Sequence, residues 1–223
     1  MKPYWGYSNK RMKRMSGSKM DDDNSSNGDE TPIKIPFPFQ KSPNTYITTT
    51  FNHIYFNNDI SPETVFELNK ELRNVDNNLS MAVVTMKIER PPIYLHITTD
   101  GGVIYSALSV IDCMNSLTSP VYTVIDGYVA SAGTLISVNG SKRYMCENAY
   151  MLIHELKGGL WGKMTEIDDE YINLKRIMKH VIKLYEEKTG IKKKELEMIL
   201  KKDIIWDIDE CIKRGLIDEI YKK

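Results

Sequence analysis

The stretch "PPIYLHITTDGGVIYSALSV", residues 91–110, decides the fold. Residues 91–98 form a short apolar, β-branched run, which is typical of a strand buried in a parallel sheet. Gly101 and Gly102 interrupt this run, and apolar residues at helical spacing follow from Ile104 onward. A strand, a tight turn and a helix in succession are the unit from which parallel sheets are built, so this stretch predicts an α/β domain.

The same alternation of strand and helix continues along most of the chain. The stretch "HIYFNNDI" (53–60) has a strand core followed by turn residues, and further strands are predicted at "VYTVID" (121–126), "KRYMC" (142–146), "YMLIH" (150–154) and "LIDEIY" (216–221). Helices are predicted at "SPETVFELNKELRNV" (61–75), "SAGTLISV" (131–138), 164–188, "KKKELEMILKK" (192–202) and "DIDECIKRG" (207–215). Ser61 is the expected N-cap of its helix, with Pro62 at the first helical position, and Gly190 is expected to end the long one. This order predicts a parallel sheet with right-handed crossovers.

Composition narrows the function classes. The 223 residues include 30 Lys+Arg and 30 Asp+Glu, so the balanced charge gives no general reason to bind nucleic acid or an anionic membrane. No run of 18 apolar residues occurs, and no membrane span is expected. Three cysteines at Cys113, Cys146 and Cys211 lack the spacing of a zinc site, and their odd number argues against a disulfide framework. Free buried thiols, no metal and no cofactor are therefore expected.

The N-terminal region differs from the rest. Residues 1–45 are polar, carry blocks of charge and contain several prolines, so they are predicted to form a disordered tail before a domain at 46–223. Residues 1–20 hold six basic residues and no acidic one, as an organelle transit peptide would. The acidic stretch "DDDNSSNGDE" (21–30) follows at once and argues against that reading. A cytoplasmic location is the expectation.

Ser131, in "DGYVASAGTLISV" (126–138), is the candidate nucleophile. It lies where a strand ends and a helix begins, a position at which unpaired N–H groups favour developing negative charge. Its small neighbours would let a substrate approach the backbone closely. A crowded turn that only requires small residues would give the same letters, so this stretch by itself leaves both interpretations open.

A serine nucleophile needs a base, and the chain has four histidines: His53, His96, His154 and His180. His180 falls in the long charged helix and is interpreted as a solvated or packing residue. His53 precedes its strand and reads as a surface residue, whereas His96 falls inside an apolar strand and reads as a satisfied core histidine. His154 ends a strand, and active sites of open α/β sheets gather at the carboxyl ends of strands. The pattern therefore favours His154 over His96.

Two further parts complete an acyl-transfer site. Asp207 and Asp209 read as helix caps, which leaves Asp203 available to hold the imidazole in its tautomer. An oxyanion hole needs two converging backbone N–H groups. Ala132 would supply one, and the Gly101–Gly102 turn, which can approach a ligand closely, would supply the other. A plain strand-to-helix turn explains the two glycines equally well.

At this point four stretches resemble the ClpP-type serine peptidases, over roughly residues 50–223 and in the right order. "YLHITTDGGVIYSALSVIDCMNSL" is similar to that family's strand, Ser-Pro-Gly-Gly turn and helix, and "DGYVASAGTLISVNGSKRYMCENAYMLIHEL" to its nucleophile turn and histidine strand. "LKGGLWGKMTEIDDEYINLKRI" resembles its handle strand and handle helix, and "DIIWDIDECIKRGLIDEI" its closing stretch with the third triad residue.

The resemblance implies a ClpP/crotonase-like fold of repeated ββα units with a protruding handle helix. It implies a catalytic triad of Ser131, His154 and Asp203, with oxyanion donors at Gly102 and Ala132. A peptide substrate would add as a strand. The residues implied in peptide binding are Gly101, Val103, Ile104 and the segment Leu156 to Gly159, which includes Gly158. The implied partners are unfolded polypeptides, further copies of this chain in heptameric rings or a tetradecamer, and a Clp-type AAA+ ATPase.

Three features depart from the family pattern. Asp100 stands where the family usually has proline, which predicts a less rigid turn and a charge near the oxyanion hole. The interval between Ser131 and His154 is about two residues shorter than in the common bacterial form, and the tail is longer. The alternatives to a general peptidase are a processing protease of the phage head-maturation type, a crotonase-fold enzyme acting on acyl-CoA, and an inactive ring subunit.

Overall fold

The structure, a computed structural model, describes residues 46–222. The tail predicted for residues 1–45 lies outside the described residues. The strands are β1 (Ile47–Thr50), β2 (His53–Asn57), β3 (Ile93–Thr99), β4 (Val121–Ala130), β5 (Lys142–Met145), β6 (Tyr150–Leu152), β7 (Ile205–Trp206) and β8 (Glu219–Ile220). The helices are α1 (Pro62–Met86), α2 (Ile104–Ser116), α3 (Ala132–Val138), α4 (Met164–Thr189), α5 (Lys193–Ile199) and α6 (Ile208–Lys213). The predicted α/β class is confirmed.

The strands form a mixed sheet in the order β1-β2-β3-β4-β5-β8. Pairs from β2 through β5 to β8 are parallel, and β1 adds to β2 as an antiparallel edge. Strand β4 changes partner along its length. Its first half pairs with β5, and Tyr128–Ala130 pair instead with β6, which carries β7 on its far side. Gly127, at φ 81°, lies between the two halves.

The helix boundaries follow local chemistry. Ser61 caps α1 by accepting a hydrogen bond from the Thr64 N–H, and Pro62 begins the helix, as predicted. The long helix α4 ends at Gly190, which adopts the left-handed conformation at φ 75°. Asp207 caps α6 through the Glu210 N–H. These predicted caps are confirmed.

Two strand predictions needed adjustment. Strand β4 does not stop at Asp126 but continues to Ala130, because β6 gives its second half a new partner. Strand β6 ends at Leu152, so His154 follows the strand by two residues rather than ending it. Residues 153–162 contain no helix or strand.

The core lies between the sheet and the helices packed on one of its faces. Fully buried members come from several elements: Phe56, Leu68, Leu72, Leu95, Ile125 and Leu135. Cys113 and Cys211 are buried free thiols as expected, whereas Cys146 is only partly buried and its thiol lies 2.9 Å from Asp126 Oδ1. Helix α4 touches the body mainly through its last turns, where Val181, Ile182 and Tyr185 are buried. None of the helices within residues 46–222 is long and apolar enough to cross a bilayer.

The opposite face of the sheet holds a group of aromatic rings around two histidines. His96 is 3% exposed, and its two ring nitrogens lie 2.9 Å from Asp126 Oδ2 and 3.0 Å from His53 Nδ1. The His53 ring stacks on Tyr94 at 4.6 Å between centroids. Burial, and secondarily the neighbouring His96, lower the pKa of His53. His96 is thus the satisfied core histidine that was predicted, and His180 is exposed as expected.

Candidate active site

Ser131 occupies a strained backbone position between β4 and α3. Its φ of 55° and ψ of −127° lie outside the regions that L-residues ordinarily adopt. Such a conformation costs about 1–3 kcal/mol and persists only where the surroundings impose it. Three hydrogen bonds do so here. The Ser131 N–H donates to Leu152 O at 2.9 Å, and Ser131 O accepts from the Thr134 N–H at 3.1 Å and from Thr134 Oγ1 at 2.6 Å.

Behind this turn, a short chain of hydroxyl groups connects Ser131 to helix α4. Thr134 Oγ1 donates to Ser131 O, so it can accept from the hydroxyl of Tyr185, which is its other partner. Tyr185 is 2% exposed, and burial raises the pKa of this phenol well above its ordinary value, with the Thr134 contact opposing. The phenol is therefore a neutral donor at physiological pH. Sequence reasoning did not identify either residue, because each reads as ordinary helix content.

We expect Tyr185→Phe to lower the free energy of unfolding by about 0.5–1.5 kcal/mol, the usual contribution of one hydrogen bond. Ring packing is retained, so only the hydroxyl contact is lost. Denaturant unfolding measures the effect. Tyr171→Phe on the same helix is the matched control, since that ring is 54% exposed. Equal stability of the two variants would contradict a structural role for the hydroxyl chain.

The glycine turn after β3 runs directly beside the nucleophile. A Cβ built on Gly101 would lie 2.6 Å from Ser131 Cβ and 3.2 Å from Ser131 Oγ. Gly101 and Gly102 have φ values of 103° and 143°. On the other side, Ile60 anchors the turn: its N–H donates to Gly101 O and its C=O accepts from the Val103 N–H, both at 2.8 Å. These two bonds flank the N–H of Gly102.

Substitution of Gly102 tests this close approach. A Cβ there would lie 2.2 Å from Ile60 O, which is a backbone atom that cannot move aside by a rotamer change. We expect Gly102→Ala to destabilise the fold by about 1–3 kcal/mol, the range for overpacking. Thermal or denaturant unfolding gives the value. Gly159→Ala is the control, because no atom of residues 46–222 lies within 4 Å of a Cβ at Gly159. A Gly102→Ala protein as stable as this control would refute the packing argument.

Ala132 is the first residue of α3, so its N–H has no carbonyl one turn earlier within the helix. The family resemblance implies that this N–H and that of Gly102 form the oxyanion hole. Ala132 follows Ser131 directly in the chain, and Gly102 follows Gly101, the glycine at which a Cβ would lie 3.2 Å from Ser131 Oγ. The role of the two N–H groups as oxyanion donors stays a prediction.

The pairing of β6 with β4 brings the segment that carries His154 to the end of β4, where Ser131 lies. Ala130 pairs with Leu152, and Leu152 accepts the Ser131 N–H, so His154 lies two residues beyond the strand position bonded to the serine. Its Nδ1 atom is buried and has no hydrogen-bond partner within the described residues. Glu155, the next residue, donates its N–H to Leu200 O at 2.7 Å. This hydrogen bond holds the loop that follows Leu200 next to the segment that carries His154.

Asp203 lies on the loop that follows Leu200, and its carboxylate forms an ion pair with Lys157. Its Oδ2 is 3.0 Å from Lys157 Nζ, and both side chains are more than half exposed. The Lys157 hydrogen bond is the main cause that lowers the pKa of Asp203. Desolvation of the carboxylate acts in the opposite direction and raises this pKa, whereas the charges of Lys157 and His154 lower it further. Asp203 is thus near enough to His154 to interact with its charge, yet its hydrogen bond goes to Lys157. The orienting role of Asp203 stays a prediction.

Asp100 faces a polar cavity beside the site. The cavity of about 420 Å³ is also lined by Tyr128, Asp59 and Thr98. Burial raises the pKa of Tyr128, and the negative charges of Asp100 and Asp203 raise it further. Tyr128 therefore lies within electrostatic reach of both carboxylates. The charge that the sequence predicted near the oxyanion hole lies beside Gly101 in the chain and on the wall of this cavity.

The residues predicted to bind a peptide lie on two separate segments. Val103 and Ile104 are half-buried. Leu156 is also half-buried, while Gly158 and Gly159 are exposed. The Val103 N–H already donates to Ile60, and its C=O accepts from Ser106 and Ala107 at the start of α2. Backbone pairing with a peptide would thus depend on Gly102 and on the 156–159 segment.

These features define the class: an α/β domain of the ClpP type, with a serine on a strained strand-to-helix turn and a histidine two residues after the strand residue bonded to that serine. The sequence profile of the family described as "Clp protease" matches residues 59–223. The chain is also 31% identical over 159 residues to the ATP-dependent Clp protease proteolytic subunit of Streptococcus mutans, an alignment that covers 66% of this chain and 81% of that protein. This chain belongs to the Clp protease family, a family of peptidases.

Proposed function

We propose that this protein is a serine endopeptidase that cleaves polypeptides through an acyl-enzyme, with Ser131, His154 and Asp203 as its triad. The observation that carries the proposal is the strained conformation of Ser131. The backbone is held at positive φ by β6 and by Thr134, so that the hydroxyl projects beside the Gly101–Gly102 turn. Strain imposed on one serine at such a turn is a feature of functional sites.

In the proposed reaction, Ser131 Oγ attacks the scissile carbonyl while His154 takes its proton. The oxygen that becomes negative is stabilised by the N–H groups of Gly102 and Ala132. His154 then gives the proton to the leaving amine, and water repeats the cycle to release the acyl group. For His154 to work in the correct tautomer, its buried Nδ1 must donate to a carboxylate, and Asp203 is the neighbouring candidate.

A serine-directed fluorophosphonate tests the reaction class most directly. We expect the probe to label one residue, Ser131, and expect labelling to be lost in Ser131→Ala and reduced strongly in His154→Ala. Peptide mapping of the labelled protein identifies the site. Labelling at another serine, or none under conditions that label a known serine peptidase, would refute the proposal.

We also propose that the chain works as a ring-shaped homo-oligomer, in heptamers or a tetradecamer, fed by a Clp-type ATPase in the cytoplasm. Several large apolar side chains around the start of α4 are exposed in the single chain, which supports a further contact there: Leu160, Trp161, Met164, Tyr171 and Ile172. Trp161 is fully exposed.

Light scattering provides the oligomer test. We expect a mass of several times the 25.7 kDa chain. Trp161→Glu should shift the mass downward, because a charge in a covered apolar contact is unfavourable. Glu187→Gln, at an exposed position near the far end of α4, is the control and should leave the mass unchanged. A single species of one chain for the unmodified protein would contradict the ring.

A further inference from the structure

The ion pair between Lys157 and Asp203 involves a member of the proposed triad. Lys157 follows His154 by three residues, and its Nζ lies 3.0 Å from Asp203 Oδ2. The same carboxylate is near enough to His154 for their charges to interact. Two residues of the 154–157 segment therefore interact with this carboxylate, and in this structure its hydrogen bond is to the lysine.

His154 shows the consequence. Its Nδ1 is buried without a hydrogen-bond partner in the described part of the chain. A buried polar atom in this state is unfavourable and is normally satisfied by the protein or by water. The Asp203 carboxylate would satisfy it, but its hydrogen bond is directed to Lys157. The serine, histidine and aspartate of the proposed triad are all present, but the hydrogen bond of the aspartate is to Lys157 instead of His154.

We propose that Lys157 is a positioning residue that competes with His154 for the Asp203 carboxylate and keeps the empty site in a resting arrangement. This inference rests on the proposed function, since it assigns Asp203 to the triad. Lys157 belongs to the segment Leu156 to Gly159, which has no regular secondary structure here and ends in two exposed glycines. If a peptide pairs with this segment, the segment becomes a strand and its side chains alternate between two faces.

That change couples substrate binding to catalysis. Ordering residues 156–159 along a peptide would redirect the Lys157 side chain and release Asp203 to His154. Part of the binding free energy of the peptide is then used to break the ion pair, so the pair raises KM rather than lowering kcat. An ion pair this exposed shifts an equilibrium by only about 1.5- to 5-fold.

The test is steady-state peptide cleavage by the full chain with Lys157→Met, which keeps the aliphatic stem and removes the charge. We expect kcat/KM to rise by about 1.5- to 5-fold, through a lower KM. Lys157→Arg retains the cation and should behave like the unmodified protein. Lys201→Met, an exposed lysine on the same loop as Asp203, is the charge-matched control. Added salt should raise kcat/KM of the unmodified protein toward the Lys157→Met value and affect that variant less.

The outcomes separate this inference from the function beneath it. If cleavage depends on Ser131 and Lys157→Met leaves kcat/KM unchanged or lowers it, the competition is refuted and the peptidase assignment stands. A rise carried by kcat instead of KM would overturn release by the peptide. Cleavage that survives Ser131→Ala at the level of the unmodified protein would overturn the proposed function, and this inference with it.

Discussion

Replacement of Ser131 by alanine is expected to lower kcat for peptide cleavage by a factor on the order of 10⁵–10⁶, the loss seen when a triad nucleophile is removed. The physical reason is that alanine has no hydroxyl with which to form the acyl-enzyme. Alanine keeps the backbone at the same strained φ, and the three hydrogen bonds that hold it involve only backbone atoms of residue 131. The variant should therefore remain folded, with an unchanged oligomeric mass.

The measurement is initial rates on a fluorogenic peptide, with unfolding curves recorded alongside. Ser141→Ala, an exposed serine outside the site, is the matched control and should retain full activity. The double variant Ser131→Ala/His154→Ala should be no worse than Ser131→Ala alone, because residues that act as one unit are not additive. Turnover by Ser131→Ala at the rate of the unmodified protein would show that the nucleophile is assigned to the wrong residue.

Asp203→Asn is expected to lower kcat by roughly 10⁴, less than loss of the nucleophile. Asparagine retains the size of the side chain but offers an amide where His154 Nδ1–H needs an acceptor, so it favours the wrong tautomer. This prediction is a demanding test, because in the structure the carboxylate is hydrogen-bonded to Lys157 and not to His154. It requires the carboxylate to change partner during turnover.

Kinetics on the same peptide measure this effect. Asp209→Asn is the control, since that carboxylate lies exposed in the first turn of α6 and has no place in the site. If Asp203→Asn stays within about tenfold of the unmodified protein, far short of the loss expected for a triad aspartate, then Asp203 is not the third triad residue. The Lys157–Asp203 pair would then be an ordinary surface ion pair.

Much of the fold could be predicted because local signals agreed with one another. The apolar run before Gly101 became β3, Ser61 and Asp207 became caps, and Gly190 ended α4. Strand ends were harder. The extension of β4 to Ala130 depends on its pairing with β6, which begins 20 residues after β4 ends. No local propensity at Tyr128 predicts this extension. Such pairings are fixed by tertiary context.

For the site, residue type and order identified which side chains to examine. The sequence showed the small residues around Ser131, a histidine at the predicted end of a strand, and an aspartate before "IIW" with no capping role. The sequence could not predict the hydrogen-bond partner of each group. The Thr134–Tyr185 hydroxyl chain and the anchoring of Gly101 by Ile60 join residues 51 and 41 positions apart. Both appeared only when the elements were packed.

The sequence by itself determined the α/β architecture and made the serine, the histidine and the glycine turn candidates for a site, because periodicity, caps and tight turns depend on neighbouring residues. Only the tertiary structure decided the backbone strain at Ser131, the burial of His154 Nδ1 without a hydrogen-bond partner among residues 46–222, and the bond from Lys157 to Asp203. Burial and hydrogen bonding between distant segments arise when the chain closes on itself. A short exposed loop can direct one carboxylate to either of two partners at little difference in free energy.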